Sequence, residues 1–327
     1  GDGTAWVRWE GPSQRGVDGF HVYRALAQTG PFGRLTATPF RNDILMYQDT
    51  MVTNGVRYFY RVTTVDQGGN ESAPSAIHDA TPGPNMGPTV VDEQIQFDPV
   101  TVWSSRGSPY ILRDDLAVVP GNLLVIGPGT TVLVEKAPPG EYPKYIRVEG
   151  RIAVLGARGV ITGMTESDDG MVTIQSADAM PGRGDWAGFR IFRESPAGGL
   201  GMERSLGRYD AGTIFHRVRI RHGGAPDFFN TPHVVDVRGD PASGVVRDWR
   251  SSLYVSRVEI SEHLYAAVNT GTVRDVVLRD VLVQDGGTAF VLPYSQSLLV
   301  QDVTVRRLAY IGSLHMNGEH TNYGLVS

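Results

Sequence analysis

Four residues in the C-terminal half of the sequence are of the types that move protons in enzymes. They are Asp236, which follows His233 by three positions, the adjacent Glu262 and His263, and Asp285. A carboxylate or imidazole acts as a general acid or base when it lies within hydrogen-bond reach of the reacting group. Two such acids could cleave a glycosidic bond, one protonating the leaving oxygen and one activating water. The alternative, which we favour, is that each histidine only pairs with a carboxylate at the surface.

A second set of residues could bind a polysaccharide without cleaving it. Arg219, Arg221, Arg257 and Glu259 stand at alternate positions of two apolar segments, so that in strands their side chains would share the outward face. We interpret them first as a solvated charge ladder, in which each exposed pair contributes about 0–1 kcal/mol. The alternative is a strip that faces carbohydrate. Trp249 lies between two charged residues and either packs its loop onto the protein or meets a ligand.

The elements that must position these residues repeat along the chain. One apolar pattern recurs four times in residues 212–316, as Ile214-x-x-x-Val218-x-Ile220, Tyr254-x-x-x-Val258-x-Ile260, Val277-x-x-x-Val281-x-Val283 and Leu299-x-x-x-Val303-x-Val305. The valines at 258, 281 and 303 are 23 and 22 residues apart. A period in the twenties built from β-branched segments is typical of stacked strands that share one core. The sequence therefore predicts a parallel β-helix.

The repeat also predicts which side chains lie inside the coil and which outside. Alternation along the strands predicts a buried stack of Val258, Ile260, Val281, Val283, Val303 and Val305. It predicts exposed side chains at Arg257, Glu259, Asp280 and Asp302. The interval from Val218 to Val258 is 40 residues, which means either one turn with a large excursion or an extra turn through residues 234–237. If it is one turn, Arg219 faces Glu259, and Arg257 faces Asp280.

Residues 1–82 show short alternating segments separated by turn residues, the pattern of an antiparallel sandwich. The order of Trp9, Gly-Phe-His-Val-Tyr-Arg at 19–24, Tyr-Phe-Tyr-Arg-Val at 58–62 and Gly-Asn-Glu-Ser at 69–72 resembles a bacterial fibronectin type III module. The resemblance implies a spacer or interaction module. It departs from the family before Thr4, where a first strand is expected, so that a sheet edge would need a cover.

A Pro/Gly linker at 83–89 is expected to join this module to a second domain at 90–327 as a semi-rigid joint. In the second domain Pro-Gly turns separate apolar runs, for example Pro-Gly-Asn at 120–122, Pro-Gly-Thr at 128–130 and Asp-Trp-Ala-Gly at 185–188. Together with Arg-Ile-Arg-His-Gly-Gly at 219–224, these residues resemble the right-handed β-helix of the pectate-lyase-like superfamily. The expected fold class is therefore all-β, a sandwich followed by a right-handed parallel β-helix.

Members of that superfamily include lyases, hydrolases, adhesins and inert stalks, so the fold does not specify an activity. The resemblance implies that a lyase would need carboxylates holding Ca²⁺ and a basic residue, and that a hydrolase would need paired acids. The Asn-Thr-Asp, paired-Asp and Gly-His-Gly elements of the hydrolases do not occur in that order. The acid pairs at 114–115 and 168–169 stand in turn-like contexts, where acids commonly bond to the local backbone.

Composition excludes several other classes of protein. Thirty Lys and Arg against 35 Asp and Glu give a net charge of −5, which offers no broad basic surface for nucleic acid. No run of 18 apolar residues predicts a membrane span. The absence of cysteine excludes disulfides and cysteine-ligated zinc. We expect no cofactor and no metal site, with Ca²⁺ left open for the lyase alternative.

The favoured function is that of an exported, extracellular or cell-surface bacterial protein with a structural or adhesive role. Its β-helix would be a rigid rod with a surface for polysaccharide or for neighbouring surface-protein subunits, and uncovered ends would favour assembly. One alternative is a polysaccharide lyase or glycoside hydrolase acting in a groove of the coil. Another is a subunit of an extracellular filament or a phage-type spike.

Overall fold

The computed structural model describes residues 3–9, 16–40, 46–92, 99–156, 170–192, 202–203, 208–209, 213–227, 232–238, 252–292, 294–309, 314–315 and 325–326. The chain divides into two compact units. The first consists of Gly1–Asn85 and Gly201–Ala211, and the second of Met86–Leu200 and Gly212–Ser327.

The first unit is built from antiparallel strands. They are β1 (Ala5–Arg8), β2 (Val17–Ala25), β3 (Gly33–Arg34), β4 (Met46–Asp49), β5 (Tyr58–Asp66) and β6 (His78–Ala80), with the short pair β17 (Met202–Glu203) and β18 (Arg208–Tyr209). Strands β3, β2, β5 and β6 form a four-stranded sheet in that order, and β1 pairs with β4. Phe20, Val22 and Val62 are buried on the inner face of the larger sheet, because alternate residues of a strand point to the same side.

The second unit is a coil of short parallel strands. Its first strands are β7 (Thr89–Val91), β8 (Val100–Trp103), β9 (Tyr110–Leu112), β10 (Leu116–Val118), β11 (Leu123–Ile126), β12 (Thr131–Val134), β13 (Tyr145–Val148), β14 (Arg151–Leu155), β15 (Val172–Ser176) and β16 (Gly188–Ile191). Its later strands are β19 (Thr213–Arg221), β20 (His233–Val237), β21 (Ser252–Ser261), β22 (Ala266–Thr270), β23 (Thr272–Gly286), β24 (Thr288–Val291), β25 (Tyr294–Leu308), β26 (Leu314–His315) and β27 (Leu325–Val326). A 3-10 turn covers Ser105–Gly107.

These strands form two parallel sheets around one core. The seven-stranded sheet has the order β10-β13-β16-β20-β22-β24-β26, and the twelve-stranded sheet contains the remaining strands of the coil. The buried core is apolar along its whole length, from Val91 to Leu298. The protein is thus an all-β protein with a β-sandwich and a right-handed parallel β-helix, as the sequence predicts.

In the later turns, two strands of the twelve-stranded sheet merge into one. Strand β19 pairs with both β14 and β15, and its bend is a single residue, Arg217, with φ of 53°. The equivalent residues of the next three turns, Arg257, Asp280 and Asp302, also have φ between 51° and 55°. Non-glycine residues seldom adopt this left-handed conformation. These four residues form the first turn column, at positions where the repeat predicts continuous strand.

The bend corrects the predicted repeat at its first position. Ile214 pairs with Tyr254, and Phe215 with Val255. Phe215 and Val255 belong to the coil core, so by alternation Ile214 and Tyr254 lie on the outer face, where they are nevertheless buried. An unbroken strand would place both members of the Ile-x-x-x-Val pattern on one face, but the left-handed residue between them puts them on opposite faces.

The second half of the repeat is confirmed at four of its six predicted positions. Val258, Ile260, Val281 and Val283 are buried in the core, whereas Val303 packs against the core but is only half-buried. Val305 is 49% exposed, contrary to prediction. On one side, Val305 pairs with Val283 of the preceding turn. On the other side, β27 pairs only with Val300 and Gln301, so within the described residues no strand covers Val305 there.

The 40-residue interval is one turn of the coil. Val218 pairs directly with Val258, and residues 234–237 do not form an extra turn but belong to β20 of the seven-stranded sheet. Arg219 therefore stands beside Glu259, as the one-turn alternative predicts.

Candidate functional site

The outer face of β19 and β21 carries a compact ionic group. Arg219 Nε lies 2.9 Å from Glu259 Oε2, Arg221 Nη2 lies 3.5 Å from Glu259 Oε1, and Ser261 Oγ donates to Glu259 Oε1 over 3.2 Å. We call these four residues the arginine–glutamate strip. Burial raises the pKa of Glu259, but the hydrogen bond and charge of Arg219 and the charge of Arg221 outweigh it, so that the pKa lies below its ordinary value.

Exposure within this strip differs from the prediction. Glu259 was expected to be exposed, but its side chain is only 17% exposed because the two arginines lie across it. Arg221 keeps 37% of its side chain in solvent. The strip is therefore a partly covered, mutually paired set of polar groups, in which strands and ion pairs fix the side-chain positions.

Arg257 lies outside this strip, in the first turn column. Its Nε is 3.6 Å from Asp280 Oδ2, and both side chains are partly exposed. The predicted pairing with Asp280 is thus confirmed. Asp280 and Asp302 are exposed, as predicted, but Arg257, which was also predicted to be exposed, is half-buried.

A buried histidine adjoins this column and was missed by sequence reasoning. His216 is 5% exposed, and burial together with the charges of Arg257 and Arg217 lowers its pKa to about 3. His216 is therefore neutral at ordinary pH and cannot act as a general acid. No spacing in the sequence distinguishes it from a surface histidine.

A second turn column brings two of the predicted acids together. His222, Glu262, Asp285 and Arg307 all have positive φ, between 48° and 63°, and follow paired strand residues of successive turns. Glu262 Oε2 lies 2.5 Å from His222 Nε2. Arg307 donates from Nε and Nη2 to the Asp285 carboxylate over 2.5 and 2.6 Å. Glu262 and Asp285 thus occupy equivalent positions of adjacent turns, which are separated by about 4.8 Å.

The two carboxylates of this column differ in their surroundings. The Glu262 side chain is 51% exposed, and that of its partner His222 only 6%. Asp285 is clamped by Arg307, whose hydrogen bond holds the pKa of Asp285 below its ordinary value. Asp285 therefore stays ionised, and Glu262 is the more accessible of the two.

His263 is a structural residue rather than part of this column. It is 0% exposed, and its Nε2 lies 3.0 Å from the carbonyl oxygen of Thr288. Burial lowers its pKa. The sequence placed His263 beside Glu262, but the side chain turns into the coil wall.

Asp236 belongs to the other sheet and is sequestered. It is 0% exposed, accepts from Arg238 Nε over 2.5 Å and from Asn269 Nδ2 over 2.6 Å, and lies 3.6 Å from His233 Nδ1. Desolvation lowers the pKa of His233. Among the described contacts none joins Asp236 to Glu262 or Asp285, so the four predicted acid/base residues do not form one site.

Next to Asp236 lies a buried ion pair that the sequence did not reveal. Arg190 Nε is 2.5 Å from Asp227 Oδ2, and both side chains are 0% exposed. Arg190 also donates to the carbonyl oxygens of Phe189, His233 and Ala187. The one available signal was an arginine in the middle of the apolar segment at 188–191.

The remaining candidates have local roles or lie elsewhere. Asp115 accepts from the backbone N–H of Tyr145 over 2.9 Å, and burial raises its pKa. Trp249 and the acid pair at 168–169 lie outside the described residues. In the part of the chain that the structure describes, no group of three His, Asp or Glu could hold a metal ion, and no helix is long and apolar enough to cross a membrane.

Comparison with known proteins gives partial likenesses. No family model matches the chain. Amylopullulanase from Thermoanaerobacter thermohydrosulfuricus is 38% identical over 63 residues, which are 19% of this chain and 4% of that protein. The chain therefore matches only a small fraction of that relative's length.

Solved structures are similar at a low level. A fibronectin type III-like protein from Clostridium thermocellum is 26% identical, with 26% of this chain and 81% of that one covered, at a TM-score of 0.22. Pectate lyase Pel3 from Pectobacterium carotovorum is 11% identical, with coverage of 99% and 89% and a TM-score of 0.29. A family 28 exopolygalacturonase from Yersinia enterocolitica is 10% identical, with coverage of 98% and 96% and a TM-score of 0.25. TM-scores this low establish neither a shared site nor a shared activity.

Proposed function

We propose that the chain is part of an exported bacterial surface or matrix protein, in which the β-helix is a rigid rod that binds polysaccharide without cleaving it. The binding surface is the arginine–glutamate strip. Its planar guanidinium and carboxylate groups suit the hydroxyl and carboxyl groups of sugars, since they offer paired donors and acceptors.

The observation that carries this proposal is the pairing of Glu259 with both Arg219 and Arg221 on the outer, partly covered strand face. Long side chains lose conformational freedom when they bind a ligand. Here the ion pairs and the sheet have already restricted them, so that a sugar chain meets a preorganised surface. The backbone beneath is paired on both sides, which keeps the strip flat.

The burial of two acid/base candidates supports binding without cleavage. Asp236 and His263 are both 0% exposed, and their polar atoms contact groups of the protein. A general acid or base must reach the proton that it transfers. Neither residue reaches a surface where a polysaccharide could lie.

Affinity electrophoresis of the full chain through gels containing a panel of acidic and neutral polysaccharides tests the proposal. We expect at least one polymer to retard the protein, and Arg221→Gln to weaken binding about 5-fold, a loss of about 1 kcal/mol. Arg113→Gln is the matched control, because Arg113 forms an exposed pair with Glu135 on the same coil. Equal weakening by both variants, or no retardation by any polymer, would contradict the proposal.

A second candidate function is polysaccharide cleavage at the second turn column. The observation in its favour is that the exposed Glu262 pairs with His222, with the ionised Asp285 at the equivalent position of the next turn. This candidate predicts new reducing ends or unsaturated products that Glu262→Gln abolishes. Glu149→Gln, which changes a half-buried glutamate paired with Arg147, should leave such an activity unchanged.

A further inference from the structure

The outer face of the four-stranded sheet in the first unit combines aromatic rings with arginines. Tyr23 is paired with Arg34 on one side and with Arg61 on the other, so that the three residues form a row across β3, β2 and β5. In the neighbouring row, Ala25 is paired with Phe59. With Phe32, which contacts Arg61, we call Tyr23, Phe32, Arg34, Phe59 and Arg61 the aromatic–arginine face.

The guanidinium of Arg61 is held between two rings. Its Cζ lies 4.2 Å from the ring centroid of Phe32 and 5.5 Å from that of Tyr23. Among the described residues no carboxylate lies within the 4 Å of an ion pair with Arg61. Cation–π contacts orient a guanidinium without using its in-plane N–H groups; Nε of Arg61 is itself buried, so a ligand would have to bind through the two Nη groups. Arg61 is thus a positioned cation with no carboxylate partner in the described part of the unit.

Arg57, on the same face, shows the opposite arrangement. Its Cζ lies 5.2 Å from the ring centroid of Phe59, and its Nε lies 2.8 Å from Asp79 Oδ2. Asp79 stands opposite Phe59 in the sheet. Arg57 therefore has both a ring and a carboxylate, which makes it a matched comparison for Arg61.

The other acid on this face, Glu71, already has hydrogen-bond and ionic partners. Its Oε2 accepts from the Tyr23 hydroxyl over 2.7 Å and from Thr63 Oγ1 over 3.0 Å. Its Oε1 lies 3.8 Å from His21 Nε2 and 3.9 Å from Arg34 Nη1. The hydrogen bond from Tyr23 is the largest of the interactions that hold the pKa of Glu71 below its ordinary value. Glu71 fixes the Tyr23 ring and does not neutralise Arg61.

We propose that the aromatic–arginine face binds a carboxylate-bearing polysaccharide, with Arg61 as the anchor for one uronate carboxylate. A guanidinium binds a carboxylate through two parallel hydrogen bonds. Arg34, two strands away in the same row, lies at about 9.6 Å and binds a second carboxylate of the same chain. Arg57 and Asp79 form their own ion pair, which leaves Arg34 and Arg61 against one acid, Glu71, so the described part of this face is locally basic although the chain carries a net −5.

The sheet itself favours a polysaccharide over an acidic peptide. Extended peptides commonly bind by adding a strand to a free sheet edge. Strands β2 and β5 are interior, and each is paired on both sides, so their backbone groups are not available. Recognition on this face must use side chains alone, through charge and ring stacking. The proposal adds a second polysaccharide surface, independent of the arginine–glutamate strip.

The test is affinity electrophoresis of the full chain in gels containing polygalacturonate, its fully methyl-esterified form, or polyglutamate. We expect polygalacturonate to retard the protein and Arg61→Gln to weaken that binding about tenfold, since 1.4 kcal/mol corresponds to a factor of ten. Arg57→Gln should change it less than twofold. Arg221→Gln, which changes the coil, distinguishes the two surfaces. In a protein that carries Arg221→Gln, the further change Arg61→Gln should weaken binding by the same factor as it does alone.

Several results would overturn this assignment. One is that Arg61→Gln binds polygalacturonate as well as the unchanged protein does, or that Arg57→Gln loses as much binding as Arg61→Gln. Another is that the methyl-esterified polymer retards the protein as much as polygalacturonate does. Stronger retardation by polyglutamate than by polygalacturonate would indicate that the face binds an acidic peptide. If Arg61→Gln unfolds, as judged by a tryptophan-fluorescence melt, Arg61→Lys decides. A lysine keeps the charge but lacks the planar fork, so a loss of about threefold supports the proposal and unchanged binding contradicts it.

Discussion

The ring of His263 occupies the space that a side chain at position 286 would need. A Cβ built on Gly286 would lie 1.9 Å from Cε1 and 2.1 Å from Nδ1 of His263. The two residues stand in adjacent turns, and the histidine ring fills the gap above the glycine. This relationship explains why His263 is buried and why it is unavailable for catalysis.

Gly286→Ala should therefore destabilise the coil by about 3 kcal/mol, the upper part of the range for overpacking. The free energy of unfolding in urea measures this loss. Gly182→Ala is the control, because the nearest atom to its added Cβ would be 3.5 Å away. The double variant His263→Ala/Gly286→Ala should recover part of the loss relative to the sum of the single changes. Strict additivity of the two changes would contradict the direct contact.

A charged side chain introduced into the repeat should lower the free energy of unfolding far more in a middle turn of the coil than in the last turn that the structure describes. Val281 is 1% exposed and Val305 is 49% exposed. Val281→Asp should cost about 4 kcal/mol or prevent folding, because it buries an unpaired carboxylate. Val305→Asp should cost about 1 kcal/mol or less, as surface changes do. Thermal melting of the two variants side by side tests this contrast, and equal destabilisation would show that the turn assignment is wrong.

Loss of one partner of the buried pair should be severe. Arg190 and Asp227 are both fully buried, so Asp227→Asn should cost about 3–5 kcal/mol by leaving a buried guanidinium without its counterion. Asp79→Asn breaks an exposed pair with Arg57 and should cost less than about 1 kcal/mol. Denaturant unfolding of both variants provides the comparison. Similar small losses would mean that water reaches Arg190.

Stability should fall with acid in a way that depends on His216. Its pKa is about 3 in the folded protein and 6.5 as the ordinary value, so the unfolded chain binds a proton more readily. The stabilising effect is complete above pH 6.5 and is lost progressively as pH falls towards 3, at up to about 1.4 kcal/mol per pH unit. His216→Gln should flatten the pH dependence of the unfolding free energy in this window. His78→Gln, which changes an exposed histidine, should leave this pH dependence unchanged. A similar slope in the unchanged protein and in both variants would contradict the burial of His216.

The sequence contains enough information for the fold but not for every side-chain direction. The spacing of Val258 and Val281 predicts the coil because a shared apolar core requires apolar residues at equivalent positions of each turn. It does not predict that Arg217 adopts a left-handed conformation, since glycine is the usual residue there. Arg217 reverses the side on which Ile214 lies, and its equivalent Arg257 does the same for Tyr254.

The candidate site was predictable only where it follows the repeat. The Arg219–Glu259 and Arg257–Asp280 pairs follow from counting residues between turns, and both are present. The Arg190–Asp227 pair depends on the path of the segment at 223–227, which no periodicity indicates. The binding role of Arg219, Arg221, Arg257 and Glu259 stays a prediction, as does that of Trp249.

The most direct test of the central claim, binding without cleavage, is to follow the molar mass of a retained polysaccharide by light scattering while it is held with the protein. The incubation is run with and without added Ca²⁺, and the binding is monitored in the same sample. We predict a stable complex whose polymer keeps its molar mass and gains no reducing ends or unsaturated products. A polymer that shortens at an enzymatic rate, and that stays intact with Glu262→Gln, would contradict the account.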